Sequence, residues 1–273
     1  MSQKMISIRD WQKKSLQNFG SVLAFAVYMF LLAPSLIVIP VSFGSRYELR
    51  FPPEEYSLDL YNIFFTSHAW TQPLFLSVQV SLITMIITTL IGLPAAYGMV
   101  RFDFPGKKIF LALIMSPLVI PSVVFALGIY LYFSALKLTG TMFSLVVAHT
   151  MFVLPYALVI MSAGVQKLDP NLEFGAMLMG AGRMRMLMTV VVPQLYPSIA
   201  AGALFAFLIS FDEVVISWFL AGPSTTTLSV KMFSAIQWEI SPVIAAVSTL
   251  LTAISLIACL VNVAIQKDGE PHG

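Results

Sequence analysis

Two adjacent carboxylates, Asp212 and Glu213, interrupt a stretch that is otherwise uncharged from Met186 to Val230. A charged side chain at the centre of a membrane helix costs about 2.5–3.5 kcal/mol on insertion scales, so such a pair must face a water-filled path or a partner. Two readings stand. The pair draws a cationic solute into a pathway, or Asp212 hydrogen-bonds a neighbouring helix while Glu213 lies near the headgroups. Gln79, flanked by Ser77 and Ser81 at alternate positions of an earlier apolar run, is a further polar candidate for the same path. His68 and His149 have no acidic or cysteine neighbours at ligand spacing, so no metal site is expected. Neither His-Glu-x-x-His nor Gly-x-Ser-x-Gly occurs, and no Gly-x-x-x-x-Gly-Lys-[Ser/Thr] phosphate loop is present, so the chain is expected to be no enzyme and to hydrolyse no ATP itself.

A second constellation lies between residues 164 and 195. Asp169 followed by Pro170 is a helix start, with a side chain that caps and a proline suited to the first helical position. The helix should run from Pro170 to Met179 and stop at Gly180, which tolerates positive φ. Leu172, Ala176 and Met179 recur at helical spacing and give it an apolar face. Such a stub either docks on a soluble partner or lies among the headgroups. A further helical segment leads through Arg185 to Pro193 and back into the membrane.

The elements that position these residues follow from composition. Only 10% of the 273 residues are charged, against roughly 25% in soluble domains, and the mean hydropathy is +0.88. Spans are expected near 22–42, 74–99, 109–135, 142–163, 197–220 and 242–265, each able to cross a core that needs roughly 20 apolar residues. No alternating ten-residue segments argue for a barrel, so the fold class is an all-α membrane protein with six transmembrane helices. Pro117 and Pro121 predict a kink in the third span.

Lysine and arginine fix orientation. Lys4, Arg9, Lys13, Lys14, Arg101, Lys107, Lys108, Lys167, Arg183, Arg185 and Lys267 fall on one side, against Arg46, Arg50, Lys137 and Lys231 on the other. Both termini are therefore expected in the cytoplasm. The organisation is a cytoplasmic tail (1–19), a first transmembrane helix (20–43), a periplasmic loop (44–72), a five-helix core (73–266) with the cytoplasmic loop 164–195, and a short tail (267–273). The external loop carries four acids (Glu48, Glu54, Glu55, Asp59). Trp70, Trp218 and Trp238 are expected at the outer interface and Trp11 at the inner one. Cys259, the one cysteine, is expected to pack. The basic residues form no patch for nucleic acid.

The loop from Lys167 to Pro193 resembles the cytoplasmic loop of ABC importer permeases, whose pattern is Glu-Ala-Ala, three residues, Gly, nine residues, Ile-x-Leu-Pro. With Gly180 aligned, Phe174, Gly175 and Ala176 take the Glu-Ala-Ala positions, and Val190, Val192 and Pro193 take Ile, Leu and Pro. The departure is Phe174 in place of glutamate, with Glu173 one residue early and so turned by about 100°. Further stretches are similar to the spermidine/putrescine permease subunits: Phe51-Pro52 with Tyr61-x-x-Phe64-Phe65, Gly92-Leu93-Pro94-Ala95-Ala96-Tyr97, Ser116 to Pro121, and Ser210-Phe211-Asp212-Glu213-Val214-Val215.

The resemblance implies a type I importer permease in the bacterial inner membrane. It would work with a second permease, two ATP-binding subunits that carry ATP and Mg, and a periplasmic solute-binding protein, itself binding no cofactor. Glu173, Phe174, Gly175, Ala176, Gly180 and Pro193 would form the ATPase-coupling loop; Asp212, Glu213 and Gln79 would belong to the pathway; a polyamine would be the solute. A secondary transporter, which would show two related halves, and a non-catalytic membrane assembly protein are the alternatives. Neither accounts for the loop's proline-started helix and its Gly-to-Pro spacing.

Overall fold

The structure is a computed structural model that describes residues 2–45, 49–239 and 241–268. Arg46 and Glu48 lie outside the described residues, as do the side chains of Lys4, Arg9, Trp11, Lys13, Lys14, Cys259 and Lys267. Every described element is helical: α1 (Ser2–Val41), α2 (Asp59–Thr66), α3 (His68–Arg101), α4 (Lys107–Val119), α5 (Ser122–Ala135), α6 (Met142–Lys167), α7 (Pro170–Leu178), α8 (Arg183–Met186), a π-helical turn (Leu187–Val191), α9 (Val192–Asp212), α10 (Val215–Leu220), α11 (Leu228–Ser234), a second π-helical turn (Ala235–Glu239) and α12 (Val243–Asp268). The chain divides into two compact units, residues 1–66 with 241–256 and residues 67–240 with 257–273.

Among the described residues four stretches are long and apolar enough to cross a bilayer: Gly20–Val41, His68–Arg101, Met142–Lys167 and Arg183–Asp212. Many of their large apolar side chains are turned outward, as at Phe25, Tyr28 and Phe30 of α1 or Leu82, Ile86 and Leu90 of α3, while those of α6 are mostly buried. So large an exposed apolar surface would aggregate in water and is at home in lipid. Val243–Ile257 is a shorter apolar stretch.

Two expected spans are not continuous. The stretch 109–135 is split into α4 and α5, which meet at 111° rather than at a modest kink. Pro121 disfavours helical geometry for the residue before it, and Ile120 is extended at φ −76°, ψ 131°. Its N–H still bonds Ser116 O, while Pro121 O restarts the ladder by accepting from Val124 and Phe125. The stretch 197–220 is likewise broken, after Asp212.

The segment up to residue 72, expected as a loop, is partly helical. α2 begins at Asp59, and α3 begins at His68 because its buried face (Trp70, Pro73, Ser77, Val80, Ser81, Thr84, Thr88, Gly92, Ala96, Met99) extends unbroken at three- to four-residue spacing into the polar stretch. Trp70 is accordingly buried, with Lys231 Nζ 5.4 Å from its ring centroid, and does not face lipid as expected. Trp218 and Trp238 are exposed.

In the larger unit α3, α6 and α9 pack against one another. One apolar core joins Val80, Phe133, Leu145, Phe152, Val153, Ala206, Ile216 and Leu220. A second sits at the other end of these helices, where Val165, Leu168, Ala176, Met186, Val191 and Leu195 cluster under Leu93, Tyr97 and Val100. Between α5 and α6 the chain turns at Gly140, whose N–H bonds Leu220 O at 2.8 Å. A Cβ on Gly222 would stand 3.0 Å from Gly140 Cα, and Thr225 Oγ1 bridges the two turns by donating to Gly140 O and accepting from Gly222 N.

Candidate functional site

α7 is built by its caps. The Asp169 carboxylate accepts the Asn171 N–H at 2.9 Å, with Pro170 at the first helical position. At the far end Ala181 N bonds Ala176 O and Gly180 N bonds Met177 O, the pair of reversed bonds of a Schellman motif. Gly180 closes it at φ +87°, a conformation that a Cβ penalises. The helix thus stops one residue before the expected Met179.

Its faces differ from the sequence expectation. Ala176 is buried in this chain's own second core, so it does not share an exposed face with Leu172 and Met179. The apolar side chains turned outward are Leu172, Phe174, Met177, Leu178 and Met179, with Phe174 60%, Leu178 89% and Met179 85% exposed. Met184 and Met188 extend this surface beyond Gly180. Gly175 is half-buried with open space where a Cβ would lie, so nothing here demands glycine. Pro193 sits in the first turn of α9 just after the π-helical turn, whose wide register gives Val192 N a bond to Leu187 O. Proline supplies no N–H of its own to that ladder.

Glu173 points the opposite way from Phe174. It is 6% exposed. Its Oε2 accepts the Tyr97 hydroxyl at 2.5 Å, and its Oε1 meets Arg101 Nε and a terminal guanidinium nitrogen, both at 2.8 Å. That same nitrogen also donates to Leu168 O, at the end of α6. The one-residue offset seen in the sequence is therefore a change of side: the carboxylate bonds within the chain, and phenylalanine occupies the outer surface. Tyr97 and Arg101 belong to a stretch that the sequence singles out by resemblance, but nothing there assigns them Glu173 as a partner; their spacing of four on α3 puts both on one face.

The two membrane carboxylates separate in role. Asp212, the last residue of α9, is exposed and makes no hydrogen bond with a described residue. Glu213 is half-buried, and its Oε1 accepts Ile216 N at 3.0 Å, which caps the new helix α10. Gln79 is half-buried on α3, and no hydrogen bond joins it to either carboxylate among the described residues. Ser77 and Ser81 are buried on a shared face that Gln79 does not occupy; Ser77 Oγ accepts Leu228 N at 2.8 Å, tying α3 to the start of α11.

The sequence set His149 aside for want of metal-binding neighbours. It is 1% exposed, with Nδ1 2.9 Å from Ser210 Oγ and Nε2 3.0 Å from Ser217 Oγ. Its two partners lie on either side of the break between α9 and α10, so one ring spans the discontinuity. No local signal in the sequence announces partners 61 and 68 residues away.

Comparison with known proteins identifies the family. Residues 88–267 match the family described as binding-protein-dependent transport system inner membrane component. The putrescine transport system permease protein PotI of Escherichia coli (strain K12) is 31% identical over 231 residues, covering 82% of each chain. The spermidine/putrescine transport system permease protein PotC of the same strain is 27% identical over 244 residues, 89% of this chain and 92% of PotC. Among solved structures, a bacterial ABC transporter that imports the acidic polysaccharide alginate aligns over 92% of this chain and 96% of its own, with a TM-score of 0.70 at 16% identity. An amino acid ABC transporter covers 78% of this chain and 99% of its own with a TM-score of 0.59. With its lipid-facing helices, its capped loop helix and this match over two thirds of its length, the chain belongs to the family of binding-protein-dependent transport system inner membrane components: it is a multi-pass permease subunit of an ABC importer.

Proposed function

We propose that this permease imports a polyamine, putrescine or spermidine, in a complex with a second permease, two separate ATP-binding subunits and a periplasmic solute-binding protein. The observation that carries the coupling half of this reading is α7, which is fixed from behind by buried contacts while Phe174, Met177, Leu178 and Met179 project from it. A short, rigid apolar knob fits a cleft on a soluble partner, and the distribution of lysine and arginine over the loops supports a cytoplasmic position for α7. The ATP and Mg would be held by that partner.

The solute half rests on the named relatives and on Asp212 with Glu213. Relatives of known name that cover most of the chain are permeases for spermidine or putrescine. A related transporter solved with its pentasaccharide-bound periplasmic protein supports the binding protein as a partner. Exposed Asp212, with no hydrogen bond to a described residue, offers a carboxylate to a passing cation, with Glu213 beside it in the chain and Gln79 as a polar side chain on α3.

The test is ATPase activity of the complex reconstituted in proteoliposomes with its ATP-binding subunits and binding protein. Putrescine or spermidine should stimulate hydrolysis, and Leu178→Asp, on a side chain that is 89% exposed, should release the ATPase. Retention of the ATPase by Leu178→Asp refutes the docking surface; normal assembly without polyamine stimulation refutes the solute.

A further inference from the structure

Glu173 stands where this permease departs from its family's pattern, and its geometry gives the departure a purpose. We infer that Glu173, Arg101 and Tyr97 form a strut that delivers movement of α7 to the membrane helix α3. The inference rests on the docking reading of α7 and goes beyond it by naming the path of the load.

The contacts are those of a rigid joint. Arg101 is the last residue of α3, and Tyr97 lies one turn before it on the same face. Both meet the one carboxylate of α7, the tyrosine through Oε2 and the guanidinium through Oε1, at 2.5 and 2.8 Å. The two carboxylate oxygens are thus held by different side chains of α3, and the bond from the guanidinium is charge-assisted, which makes it stronger than a neutral one. Arg101 also holds Leu168 O, so the ends of α3 and α6 and the body of α7 are pinned at one point. Around that point Val165, Leu168 and Ala176 pack with Tyr97 and Val100. Close-packed interiors transmit displacement because they compress little.

Its neighbours on the helix make the arrangement directional. Phe174 and Leu178 face out, where a partner would push, while Glu173 and Ala176 face in, where the push is received. A glutamate at position 174 would face the partner and could not make these contacts. This chain has its carboxylate on the receiving side.

The experiment measures solute moved per ATP hydrolysed, using the full complex in proteoliposomes with putrescine as the probe. Glu173→Gln should lower that ratio by about fivefold, within the usual range of coupling effects, while ATPase subunits still co-purify. Tyr97→Phe, which removes one hydroxyl, should lower it less. Glu173→Arg with Arg101→Glu should recover at least half of what either single reversal loses. An unchanged ratio in Glu173→Gln and Tyr97→Phe, with only the yield of complex reduced, would show a merely structural pair and overturn the strut. If Glu173→Gln fails to assemble, Tyr97→Phe and the charge reversal decide the matter alone. Loss of ATPase binding in Leu178→Asp tests the docking reading separately, so the two can fail independently.

Discussion

His149 Nε2 lies 3.0 Å from Ser217 Oγ while its Nδ1 lies 2.9 Å from Ser210 Oγ, so a single imidazole closes the gap between two helices that do not continue one another. A neutral ring has one donor and one acceptor. One serine therefore accepts and the other donates, and no polar atom of the ring is left over.

Replacing His149 by leucine strands two buried hydroxyls in an apolar core. Each unsatisfied group costs about 1–3 kcal/mol, so His149→Leu should lower the Tm of the detergent-solubilised complex by several degrees. His149→Gln, whose amide reaches about as far as Nε2, should lose less. Equal Tm values for the two variants would show that packing, and not the pair of hydrogen bonds, holds the break.

Gly180 should accept side chains only at a graded penalty. Its φ of +87° disfavours an L-residue by about 1 kcal/mol or more, least for asparagine and most for β-branched residues. Gly180→Asn should be tolerated, whereas Gly180→Val should expose the end of α7 to limited proteolysis. Equal resistance of the two variants to protease would refute the order.

Asp212 and Glu213 should respond differently to neutralisation. Asp212 carries no structural bond with a described residue, so Asp212→Asn should leave Tm unchanged. It should raise the KM for a polyamine roughly fivefold, since a unit charge at 4 Å in water contributes about 1 kcal/mol. Glu213→Ala removes the cap on α10 and should lower Tm as well, by the equivalent of about 1 kcal/mol. Uptake assays beside thermal unfolding separate the two; an unaltered KM in Asp212→Asn would remove that residue from the pathway.

Phe174 is 60% exposed, so Phe174→Glu, the substitution toward the family's own residue, should change Tm little. Phe174→Ala should weaken ATPase association by roughly tenfold, the scale of an aromatic anchor. Full affinity after Phe174→Ala, read by co-sedimentation of the ATP-binding subunit, would shift the anchor to Leu178 and Met179.

What could be read directly from the chain was whatever chemistry is local. Asp169, Pro170 and Gly180 define α7 because a cap and a positive-φ stop act within a turn of themselves. Pro121 marked a disturbance for the same reason, though its size could not be read, because a 111° bend depends on what α4 and α5 pack against. The break after Asp212 was hidden inside an apolar run. It is made by a carboxylate that captures the Ile216 N–H and by a histidine far away in sequence. The side of α7 occupied by Glu173 could be inferred from its 100° offset, but its partners on α3 could not. In the polar stretch before residue 72 composition and period point different ways: the residues are polar, yet Trp70, Pro73 and Ser77 repeat as a helix does.

The contact between Gly140 and Gly222 bears on how this protein can diverge. Two turns that meet backbone to backbone at their glycines, and that Thr225 Oγ1 ties further, form a single unit. An insertion or a methyl group in one turn must be matched in the other. Chimaeras with a relative's permease should therefore assemble only when residues 137–141 and 220–227 are exchanged together, so recombination between these two stretches is the event selection would discard.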